Sequence, residues 1–127
     1  MISIEEYKNK LNRLGELNNK ITISLGLEHY LSTFSANMLE IMKQFLKFVE
    51  IFDGDEIFLQ MLDKTIDKEI DFLDFDPEIF NEKNIFKKRK KIKSLYAYNL
   101  ENITNIQDEV NRISDYIDNK IQGKNFK

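Results

Sequence analysis

Residues 27–52, LEHYLSTFSANMLEIMKQFLKFVEIF, decide the fold. Placed on a helix at 100° per residue, Leu27, Tyr30, Leu31, Phe34, Met38, Ile41, Met42, Phe45, Phe48, Val49 and Phe52 fall within one apolar stripe. Leu39 and Leu46 widen it, while Glu40, Lys43, Lys47 and Glu50 take the opposite face. A helix this apolar does not stand alone in water and must be covered by others. Its charged face also argues against a membrane span, which needs about 20 lipid-facing residues. The N-terminus MISIEEYKNK has no apolar core of a signal peptide, so a soluble, cytoplasmic protein is expected. Heavy use of Lys, Ile and Asn suggests an AT-rich genome, a bacterium or a mobile element.

A chain of 127 residues suits one domain, with 42% apolar and 32% charged residues marking a globular protein. One proline and four glycines are too few for an all-β chain of tight turns. Without cysteine, disulfides and thiolate chemistry are excluded.

Outward from the central stretch, the spacing predicts helices over 4–19, 25–52, 56–73 and 78–121, with a frayed tail at 124–127. The first opens with a capping box, Ser3-Ile4-Glu5-Glu6. It presents Ile4, Tyr7, Leu11 and Leu14 on one face, and Asn18 interrupts that series. Residues 21–24 read as a connector, with Ser24 capping the second helix. Asp53, ahead of Gly54, is placed to cap the third by accepting from the amide of Glu56. The inner side of the third helix is Phe58, Leu62, Ile66, Ile70 and Leu73, and Glu69 falls oddly among them. Asp76 and Pro77 suit N-cap and N1 of the last helix, although Asn81–Asn84 could break its first turns. Tyr96, Asn99, Ile103, Ile106, Val110, Ile113 and Ile117 then keep coiled-coil spacing, a seam for self-association or for intramolecular packing. The expected fold is all-α: an up-and-down bundle of about four helices with a long, coiled-coil-like C-terminal helix, one domain over residues 1–123.

Charge is unevenly placed. Residues 53–82 carry eleven acids against two lysines, and residues 83–93 carry seven bases and no acid. On the third helix Glu56, Asp63, Asp67, Asp71 and Asp74 line up opposite the apolar face. Carboxylates suit a hard cation or a basic partner, but a spread along one helix reads first as solvated surface. Residues 71–78, DFLDFDPE, lack the glycine and spacing of a calcium loop. The run Lys87, Lys88, Arg89, Lys90, Lys91 and Lys93 could neutralise nucleic-acid phosphates, with Phe86, Tyr96 and Tyr98 near enough to stack on bases. The competing account is internal, with the acidic third helix facing the basic start of the fourth.

No phosphate loop, catalytic triad, paired-histidine metal motif or dinucleotide fingerprint occurs. His29, the one histidine, falls on a polar face beside Glu28 and reads as a surface residue. No enzyme, cofactor, metal, small-molecule substrate or membrane partner is expected. The leading expectation is a non-enzymatic interaction protein (an adaptor, an inhibitor or immunity factor, or an assembly subunit) binding a protein or itself through its charged helical surfaces. The alternative is a nucleic-acid-binding subunit using residues 87–93.

Overall fold

The computed structural model describes the backbone of residues 2–25, 29–74 and 83–125, and the side chains of 2–20, 33–74, 83–90 and 102–123. Four helices fill the described residues: α1 (Ile4–Leu25), α2 (His29–Ile51), α3 (Glu56–Leu73) and α4 (Ile85–Asn125), with no strand among them. No helix among the described residues is long and apolar enough to cross a membrane. The protein is an all-α bundle with a long C-terminal helix, as the periodicity predicts.

α1 starts where the capping box places it. The Ser3 hydroxyl oxygen accepts from the Glu6 amide at 3.1 Å, and the hydroxyl donates to the Glu6 carboxylate at 3.2 Å. The helix does not stop at residue 19. It runs to Leu25, so residues 21–24 are not a connector and Ser24 does not cap α2. β-Branched residues lower helix propensity by only a few tenths of a kcal/mol each, and no glycine or proline stands between residue 19 and Gly26. Leu17, 2% exposed, carries the buried face of Leu11 and Leu14 as far as Asn18.

The cap of α3 is Asp55 rather than Asp53. Gly54 takes a left-handed φ of +78°, which favours glycine, and the Asp55 amide closes the turn onto the Phe52 carbonyl at 3.0 Å. Asp55 is left extended at φ −79°, and its carboxylate accepts from the Phe58 amide at 3.1 Å. α3 itself covers the span expected of it.

α4 begins later than residue 78, because Lys83 and Asn84 are not helical. Asn84 is the cap: its side-chain oxygen accepts from the amides of Phe86 at 3.0 Å and Lys87 at 3.2 Å. The expected cap at Asp76 and Pro77 lies outside the described residues. From Ile85 the helix is unbroken through Lys93 and past Gly123 to Asn125.

Side-chain contacts give the directions of the helices. Phe34 meets Phe72 edge-on at 5.7 Å and Phe52 meets Phe58 at 5.2 Å, so α2 and α3 are antiparallel. Lys10 reaches Asp63 and Asp67 while Arg13 reaches Asp74, so α1 and α3 are parallel. Asp55 meets Tyr116 and Lys120, and Lys68 meets Glu109, so α4 returns antiparallel to α3. α3 touches all three other helices, and among the described residues α4 packs its backbone closely against α3 alone. The core therefore centres on α3 as well as on the more apolar α2. Phe58, Leu62 and Ile66 are 0% exposed there, beside Tyr7, Leu14 and Met42. The buried Tyr7 hydroxyl is satisfied by the Met42 carbonyl, tying α1 to α2.

Candidate functional site

The seam predicted on α4 is covered within the chain. Ile103, Ile106, Val110, Ile113 and Ile117 are each 5% exposed or less, packed in the core with α3. Those five positions are used intramolecularly and are not a free face for a second copy. Tyr96 and Asn99 lie outside the described side chains. Every buried side chain described on α4 lies at Ile103 or beyond. With 41 residues against 18, α4 outruns α3, by roughly 35 Å at the helical rise.

The acidic stripe is also partly engaged at home. Lys10 Nζ sits 2.5 Å from Asp63 and 2.8 Å from Asp67, and Arg13 lies 3.4 Å from Asp74. Partial burial works against the Lys10 charge, but its two carboxylate partners outweigh that and raise its pKa. Such half-exposed pairs are each worth about 0–1 kcal/mol, and together they fix the register of α1 on α3. Glu56 and Asp71 are exposed, with no ion pair among the described residues. Among the described residues the ion pairs of the stripe go to α1, and none joins it to the basic start of α4. The sequence could not show this, because charge balance over residues 1–52 conceals which face of α1 carries Lys10 and Arg13.

At the turn end of the bundle, Asp55 joins three elements. Besides capping α3, it accepts from the Tyr116 hydroxyl at 2.6 Å and pairs with Lys120, whose ammonium lies 4.9 Å from the Phe52 ring centre. Burial opposes its charge, but the Lys120, Tyr116 and Phe58 hydrogen bonds prevail and hold its carboxyl at about 2. Asp55→Ala is expected to cost about 2 kcal/mol or more in urea denaturation, the sum of a lost cap and a lost charged hydrogen bond. Because the folded carboxyl titrates below its ordinary 3.8, this contribution is complete above about pH 4 and disappears as pH falls towards 2.

Glu69 is the residue that sequence reasoning flagged without assigning. It is 1% exposed, and neither carboxylate oxygen has a hydrogen-bond partner. Burial, with repulsion from the Glu109 carboxylate added, pushes its carboxyl up to about 9, so it is neutral at pH 7. Ser35, 0% exposed, is likewise unpaired at its hydroxyl, and it adjoins Phe34, which packs on Phe72 three residues from Glu69. Glu109 is itself held by Lys68 at 2.5 Å and by the Thr65 hydroxyl at 3.5 Å. Among the described residues no group of three or more histidine, aspartate or glutamate side chains could hold a metal ion. An open groove between α1 and α2, lined by Ile4, Lys8, Lys43, Gln44, Leu46, Lys47 and Glu50, lacks a nucleophile–base pair. The side chain of His29 lies outside the described residues.

The basic segment is the surface left over. Lys87, Arg89 and Lys90 are exposed and Lys88 is half-buried, none of them in an ion pair among the described residues; the side chains of Lys91 and Lys93 lie outside the described residues. Ile85 is 64% and Phe86 82% exposed, the latter the most exposed large apolar side chain described. Two local rules are broken at once. Large apolar groups stand in water, and the first turn carries cations and no acid where the helix dipole favours negative charge. Comparison with protein-family models, with curated proteins and with solved structures finds no match for this chain.

Proposed function

We propose that this protein is a non-enzymatic binding protein that takes an anionic macromolecule, nucleic acid, on the exposed basic start of α4. The observation that carries the reading is the contrast between the two charged segments. Asp63, Asp67 and Asp74 are met by Lys10 and Arg13, whereas residues 87–90 form no ion pair among the described residues and lie upstream of every described position that α4 buries. An anionic partner would relieve the repulsion among those four cations and their conflict with the helix dipole. Lysine-rich contact of this kind reads phosphates rather than base edges, so the binding is indifferent to sequence.

The first experiment is a fluorescence anisotropy titration of the protein with mixed-sequence oligonucleotides at several salt concentrations. The reading expects log K to fall linearly with log salt, with a slope of about −3 for four phosphate contacts on a single strand. Absence of binding at low salt overturns it. The adaptor or inhibitor reading, in which the partner is a protein, is favoured by Glu56 and Asp71, the two carboxylates of the stripe left exposed. Capture of one protein in fixed ratio, insensitive to nuclease, would establish that reading instead.

A further inference from the structure

We propose that the nucleic acid taken by this segment is single-stranded, and that Phe86 is the residue that selects it by stacking on an unpaired base. The inference rests on the reading of α4 as a nucleic-acid surface and names the substrate class. Phe86 is 82% exposed, yet it is not on a loose end: the Asn84 side chain accepts from the Phe86 and Lys87 amides, and the Lys88 amide bonds the Asn84 carbonyl at 2.9 Å. The ring is thus held out from a capped helical turn with cations at the next four positions. A ring in that position offers a π-face, which a base can meet only when it is free of a duplex stack.

The distribution of charge points the same way. At 100° per residue Lys87, Lys90 and Lys91 share one side of the helix, while Lys88, Arg89 and Lys93 are spread over the rest of it. The six cations therefore encircle the helix instead of forming one stripe. A stiff duplex lying along one side would reach some of them, whereas a flexible strand can wrap and reach all. A lipid surface asks for the opposite arrangement, apolar residues on one face and cations on the other. Here Arg89 lies between Ile85 and Phe86 on the wheel, so the faces are not segregated.

The test uses the full chain and three probes: a mixed-sequence single strand, the same sequence as a duplex, and vesicles of phosphatidylcholine with phosphatidylserine. The proposal expects the single strand to bind roughly ten-fold tighter than the duplex, Phe86→Ala to erase that difference, and Phe86→Trp to keep it. Circular dichroism melts of both variants should match the parent, since the ring touches no core. Equal binding of strand and duplex, unchanged by Phe86→Ala, overturns the inference while leaving the nucleic-acid reading intact. Binding to vesicles alone, or to none of the three, overturns both.

Discussion

Changing Ile113 to aspartate is expected to remove about 4 kcal/mol or more of stability. Ile113 is 0% exposed within the α3–α4 packing. The substitution empties a well-filled site and asks it to hold a carboxylate with no partner, two of the costliest changes a core can suffer. Ile121→Asp, four residues past the seam at a side chain 41% exposed, is expected to stay within about 0.5 kcal/mol of the parent. Urea denaturation followed by circular dichroism separates the two. Because α3 of the same chain covers the seam, the midpoint should not depend on protein concentration. A concentration-dependent midpoint would mean that a second copy supplies the cover.

Replacing Glu69 should have the opposite sign. Its carboxyl titrates at about 9 when folded, against an ordinary 4.5, so the folded chain binds a proton that the unfolded chain releases. Stability therefore falls as pH rises from about 4.5 to about 9, and at pH 7 the cost is roughly 3 kcal/mol. Glu69→Leu removes that cost and the unpaired carboxyl together, and is expected to stabilise by about that amount. Glu69→Gln isolates the titration, since it keeps the shape and a buried polar group. The parent should lose stability between pH 5 and 9 more steeply than Glu69→Gln. Equal slopes would show that Glu69 is not held neutral in the fold. Asp55 works in the other direction, its contribution being lost only in acid.

The periodic positions of α2, α3 and the far half of α4 made the fold class legible, because apolar spacing is a property of each segment alone. Helix ends were less so. Asp53 and Asp55 both stand three residues before an amide they could cap, and only the left-handed backbone at Gly54 decides between them. The end of α1 is misread because Asn18, Asn19 and Lys20 break the apolar series and β-branched residues follow, features that a helix tolerates. The candidate surface was half legible. The basic run is visible in composition, but whether α3 neutralises it depends on how helices are oriented, and no local pattern encodes that. Glu69 stood out as a carboxyl among apolar positions. Its burial, near Tyr7 of α1 and Glu109 of α4, is set by tertiary packing and not by any local pattern.

The most direct test of the claim that α4 carries a spare, partner-binding basic surface is one paired measurement on Lys87→Glu/Lys90→Glu. Its melting temperature and its affinity for a single-stranded oligonucleotide are recorded together, beside the parent. The account predicts an unchanged or slightly raised melting temperature, since no ion pair among the described residues is lost and the dipole conflict is eased, with binding weakened at least ten-fold. A lowered melting temperature with affinity retained would contradict it, and would return those lysines to the fold.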